Sequence, residues 1–133
     1  MAQMNWLAIL VAALSGFVVI NLWYGPLFGR AWRRVAGIHD NNINLPPALV
    51  FYGLALFFSF LAAAVVGHLL SNFPDRPAYE YVMMTGAIGV GFVFPALAMR
   101  HMFTRKNSRL LMIDTAGWTI FYLVMGVVFA VFY

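Results

Sequence analysis

The chain contains no cysteine. That excludes disulfide bonds, thiolate metal sites and a lipid-attachment cysteine. Charge is also scarce: Asp, Glu, Lys and Arg make up 9% of the 133 residues, where soluble domains carry about 25%. So little polarity cannot cover a water-exposed surface. A content of 64% apolar residues is equally foreign to a disordered chain. With the soluble globule and the disordered chain both set aside, an integral membrane protein is the class left. Acidic residues are the scarcest charges, four Asp and Glu against eight Lys and Arg, for a net charge of +4. In a soluble chain that excess would suggest nucleic acid. Here the basic residues sit in short segments beside apolar runs, where they set topology and meet anionic lipid, so no nucleic acid is expected. Catalytic signatures are missing too: there is no Gly-x-Ser-x-Gly, His-Glu-x-x-His, phosphate loop or dinucleotide fingerprint. No catalytic residue, metal or cofactor is expected, and the chain is not read as an enzyme.

A hydrocarbon core about 30 Å thick needs about 20 helical residues. Four segments qualify, about residues 5–24, 46–70, 78–102 and 110–131, and they leave no room for a soluble domain. The expected fold is therefore all-α: one domain over residues 1–133, a four-transmembrane-helix bundle. The first segment is not read as a signal peptide, because residues 1–4 lack Lys and Arg and the apolar run is too long. Gly25 and Pro26 end the first span, and Pro46 and Pro47 open the second. Pro77 opens the third, and Ser108 is a plausible cap for the fourth. Pro95, after Gly86, Gly89 and Gly91, predicts a kink in the third span. Seven of the eight basic residues, all but Arg76, fall at one end of this arrangement. The positive-inside rule assigns that end to the cytoplasm, with both termini outside.

Residues 26–37 read as a short interfacial helix. Phe28, Ala31, Trp32 and Val35 share one face at helical spacing, and Arg30, Arg33 and Arg34 lie opposite. Gly37 can cap its end. An anchor that fixes tilt is the expected role, and a lipid-sensing foot is the sharper alternative. Trp23 and Tyr24 are expected in the headgroup layer, with Phe28 and Trp32 plugging the short helix into the bilayer. Residues 39–45 are expected to form a loop at the same end, with His39 solvated. The motif Trp23, Tyr24, Pro26, Phe28, Gly29 and Trp32 resembles the signature of DUF1761, a family of small membrane proteins of unknown function. A weaker resemblance runs through residues 113–118 and Met125-Gly126. The pattern departs at Asn21 and Asp114, where that family more often carries a small residue and Asn. The resemblance implies four spans and a bacterial plasma membrane, and no activity.

Small residues recur every four positions: Ala8, Ala12 and Gly16; Ala55, Ser59, Ala63 and Gly67; Ala87 and Gly91; Gly126 and Ala130. Such stripes let helix backbones approach, inside one bundle or across an oligomer seam. Polar groups gather at the span ends. Asn21, Arg100, His101 and Asp114 form a candidate pocket at the basic end, a site for a cation or a headgroup amine. The plainer reading sets Asp114 near its helix start, neutralised by Arg100 or Arg109. His68 and Glu80 form a candidate cluster at the other end, better read as a hydrogen-bonded pair than as a metal site. The middle is nearly bare of ionisable groups, which disfavours proton-coupled transport. These features favour a membrane-embedded interaction or accessory protein, forming homo-oligomers or joining a larger membrane complex. A small-solute transporter or channel is the alternative, and a lipid-binding protein is the third reading.

Overall fold

The computed structural model describes residues 3–37 and 46–133, and the expected loop with His39 lies outside them. The described residues hold six α-helices and no strand: α1 Trp6–Leu22, α2 Gly29–Ala36, α3 Ala48–Ser71, α4 Ala78–Ile88, α5 Phe94–Thr104 and α6 Ser108–Phe132. A wide turn, Gly89–Val93, joins α4 to α5, so Ala78–Thr104 is one continuous rod. Four helices are thus long and apolar enough to cross a membrane, Trp6–Leu27, Ala48–Ser71, Ala78–Thr104 and Ser108–Phe132.

The helix ends follow local chemistry. Asn5 caps α1, its Oδ1 accepting from the Ala8 amide at 3.1 Å. The cap of α6 is Asn107, whose Oδ1 accepts from the Arg109 amide at 2.9 Å. Ser108 is therefore the first helical residue and not the cap; both residue types cap well, and the choice fell one position along. Pro47 and Pro77 stand just before α3 and α4, where no amide is needed. The wide turn ends just before Pro95, whose ring would press on the carbonyl of Gly91 in a regular helix; the extra residue per turn relieves that clash. At the far end of α1 the chain bends at Gly25 (φ −102°, ψ −106°), a conformation outside the helical region. Gly37 ends α2 with φ +70°, the left-handed geometry that glycine adopts freely.

α1 and α6 form the inner pair of the bundle. They pack on each other; α3 packs on α1 and also reaches Phe129 of α6, while α4 and α5 pack on α6, so that α3 and α4 flank a cleft. Burial follows the same order: 28% for the apolar windows of the two inner rods, 17% for α3 and 11% for Ala78–Thr104. The core is the seam between them, with Ile9, Phe121, Met125 and Phe129 sealed beside Ala8, Ala12 and Ala63. Small residues make these approaches possible. A Cβ on Gly16 would lie 2.7 Å from Met125 and Phe121, and one on Gly67 2.8 Å from Ile9. Ser59 Oγ donates to the Ala13 carbonyl at 2.6 Å, tying α3 to α1 at buried depth. The outer surface is strongly apolar, with Phe103, Leu49 and Val131 among its most open side chains.

Candidate functional site

At the basic end, three helices close around one carboxylate. Asp114 lies on the second turn of α6, and its side chain is only 13% exposed. Tyr24 Oη, from the turn after α1, donates to Asp114 Oδ1 at 2.5 Å. Trp32 Nε1, from α2, donates to the same oxygen at 3.0 Å. Trp23 Nε1 donates to the Ile113 carbonyl one residue earlier, also at 3.0 Å. The bend at Gly25 makes this possible by folding α2 back toward α6. Trp23 and Phe28 stack across that bend with ring centroids 4.3 Å apart, and Tyr24 meets Trp32 edge-on at 5.5 Å. The approach also requires a glycine on α6, since a Cβ on Gly117 would sit 2.5 Å from Trp23 Nε1.

The second carboxylate oxygen faces α5. His101 Nε2 lies 3.6 Å from Asp114 Oδ2, with the imidazole 9% exposed. The other ring nitrogen, Nδ1, is 2.7 Å from the Leu97 carbonyl. A carbonyl only accepts, so Nδ1 is the donor there. Nε2 then attracts Asp114 only when it too carries a proton. Among the described residues Nε2 is buried with no hydrogen-bond partner within reach. A pocket of about 80 Å³ opens beside the pair, with Arg100, Thr104 and Lys106 at its rim.

This arrangement joins some of the expected residues and separates others. His101 and Asp114 meet, with Arg100 beside them at the rim. Asn21 does not join them: its Nδ2 donates to the Phe17 carbonyl at 2.7 Å on its own helix, so the expected pocket of Asp114 with Asn21 is not assembled. The partner facing Asp114 is His101 rather than Arg100 or Arg109. Trp23 and Tyr24, expected in the headgroup layer, and Trp32, expected to plug into the bilayer, turn their polar tips onto α6. Arg30, Arg33 and Arg34 are exposed along α2. At the opposite end, Glu80 pairs with Arg76 at 3.4 Å and not with His68. The His68 ring is exposed, while its carbonyl accepts from Ser71 and Asn72 as α3 ends. Among the described residues no group of three His, Asp or Glu stands close enough to hold a metal.

Fold and site together define a small all-helical protein with four membrane-length helices, an aromatic clamp on one buried acid, and a basic rim. The chain belongs to DUF1761, a family described as protein of unknown function, whose model matches residues 7–130. Comparison with curated proteins and with solved structures gives no match.

Proposed function

We propose that this chain is a membrane-embedded interaction protein that assembles with a second copy of itself through the outward face of α4. The observation that carries the reading is an unspent small-residue face. The stripes of α1, α3 and α6 are consumed inside the chain, with Gly16, Gly67 and Gly126 each against a neighbouring helix. Ala87 is exposed instead, and nothing lies within 4 Å of a Cβ on Gly91. Beside this face runs an apolar cleft of about 430 Å³ between α3 and α4, lined by Phe58, Leu61, Val65, Ile88, Phe92 and Tyr122. In a bilayer, helices associate through close packing rather than through water exclusion, so an open small-residue face beside a cleft favours a helix over a lipid chain. A two-fold pair would set Ala87 against Ala87 and offer the bulky cleft rim of each copy to the other. Basic residues lie mainly at the end bearing α2, and we assign that end to the cytoplasmic side of a bacterial plasma membrane, with both termini outside.

The natural absence of cysteine makes the test clean. Ala87→Cys and, as a control on another exposed face, Val131→Cys are oxidised with copper phenanthroline in native membranes. The expected result is a covalent homodimer from Ala87→Cys and little from Val131→Cys. Equal yields from both, or none from Ala87→Cys, would refute self-assembly through this face. A covalent adduct between Ala87→Cys and a foreign protein would replace the self-assembly reading with an accessory one.

A further inference from the structure

We infer that the cleft between α2 and α6 is a binding site for one anionic phospholipid, with Arg34 and Arg109 holding its phosphate. The inference rests on the membrane reading above and concerns a different surface from the α4 face. The cleft measures about 380 Å³, within the range of small-ligand sites. Its walls divide by chemistry. Arg34 comes from α2 and Arg109 from the first turn of α6, while Ala31, Val35, Met112 and Ile113 supply apolar surface. Two guanidinium groups from different helices form a forked, always charged donor set that matches phosphate oxygens. Among the described residues neither arginine has a carboxylate partner. Asp114, the acid nearest along α6, has one oxygen spent on Tyr24 and Trp32 and the other facing His101.

The apolar wall selects an amphiphile over a free anion. Met112 is 71% exposed and lies next to Ile113 on α6, giving an acyl chain a surface to follow beneath the phosphate. A soluble phosphate would leave that wall unused. The clamp supports the geometry: Trp32 fixes α2 to Asp114, and Arg34 is two residues farther along the same short helix. Net attraction of basic residues to an anionic leaflet exists without any site, but it does not depend on which arginines carry the charge.

The test uses the full chain in nonionic detergent, with native mass spectrometry counting bound dioleoyl-phosphatidylglycerol and dioleoyl-phosphatidylcholine. The first phosphatidylglycerol is expected to bind more tightly than phosphatidylcholine. Arg34→Gln with Arg109→Gln should reduce that preference by about 30-fold, or about 5-fold for each arginine. Arg33→Gln with Arg105→Gln removes the same charge from exposed positions outside the cleft and should leave most of the preference in place. Equal losses in the two double variants would overturn the site in favour of diffuse charge attraction. Full displacement by sn-glycerol 3-phosphate would overturn it in favour of a free-anion site. Equal binding of the two lipids would overturn the site and leave the membrane reading standing, whereas binding of neither would overturn both.

Discussion

Removing the Asp114 side chain tests whether the aromatic clamp holds the basic end together. In Asp114→Ala the hydroxyl of Tyr24 and the indole N–H of Trp32 lose their acceptor, and His101 loses the carboxylate opposite Nε2. Hydrogen bonds to a charged acceptor contribute about 1.5–3 kcal/mol each, and Tyr24 and Trp32 make two of them. The two share one oxygen and are not fully additive, so about 3–5 kcal/mol is the expected total. Asp114→Asn keeps an acceptor for Tyr24 and Trp32 but gives up the charge, which roughly halves the strength of each bond. Its expected cost is about 1–3 kcal/mol, below that of the alanine variant. Equilibrium unfolding in mixed micelles, followed by tryptophan fluorescence and far-UV circular dichroism, measures both. A double-mutant cycle between Tyr24→Phe and Asp114→Ala isolates the strongest contact. Ordinary interhelical hydrogen bonds in bilayers couple by only about 0.6 kcal/mol, and this one should reach about 1.5 kcal/mol or more. A coupling at or below the ordinary value, with both Asp114 variants close to wild type, would refute the clamp.

A Cβ on Gly126 would collide with Thr85 and lie 3.0 Å from the Val82 backbone, so Gly126→Ala should lose about 1–3 kcal/mol by overpacking. Gly53, with nothing within 4 Å, should instead gain up to about 1 kcal/mol on changing to Ala, and the same unfolding assay reads both signs. Asp114→Ala removes a negative charge from the basic end, so charge counting predicts tighter phosphatidylglycerol binding. The clamp predicts a weaker preference for that lipid, because α2 loses the Trp32 contact that sets Arg34 opposite Arg109; native mass spectrometry of the folded variant decides between them.

The four long helices were legible because length and hydropathy report them directly and prolines mark two of their starts. The stripes were legible as close-approach surfaces, but not which helix each would meet. Spacing says that Gly67 and Ala63 share a face; it does not say that Ile9 and Phe129 fill it. At the site, Asp114 and His101 stood out as ionisable groups in apolar helices, whereas Tyr24 was assigned to the headgroup layer and Trp32 to the bilayer. Rules for interfacial aromatics speak of depth along the bilayer normal, and depth does not distinguish a ring tip facing water from one facing a neighbouring helix. Those partners are 90 and 82 residues away in the chain. One signal was available: three ring donors in one motif, at the same level as the one acid near that end of the fourth helix. Asn21 misled for a local reason, since a helical side-chain amide can bond the carbonyl four residues back and need no partner across the bundle.

The same contacts explain why a motif rich in interfacial residues is spaced as it is. Tyr24 and Trp32 must reach one oxygen from opposite sides of a bend, which fixes the bend between them at Gly25 and Pro26. Gly29 lies where the returning chain passes its own backbone: a Cβ there would collide with the Tyr24 carbonyl. Phe28 fills the inside of the bend against Trp23. Each motif position thus has a task in turning α2 back onto α6. A helix anchored only by lipid needs an apolar face but no particular partner for its indole nitrogens. Here all three ring donors of the motif are spent on two adjacent residues of α6, Ile113 and Asp114. Those bonds tie the position of α2 to α6 itself, and they bring Arg34 to the same cleft as Arg109. Arg34 is therefore carried on a helix fixed against the one that carries Arg109, which would lower the ordering cost for a ligand that meets both.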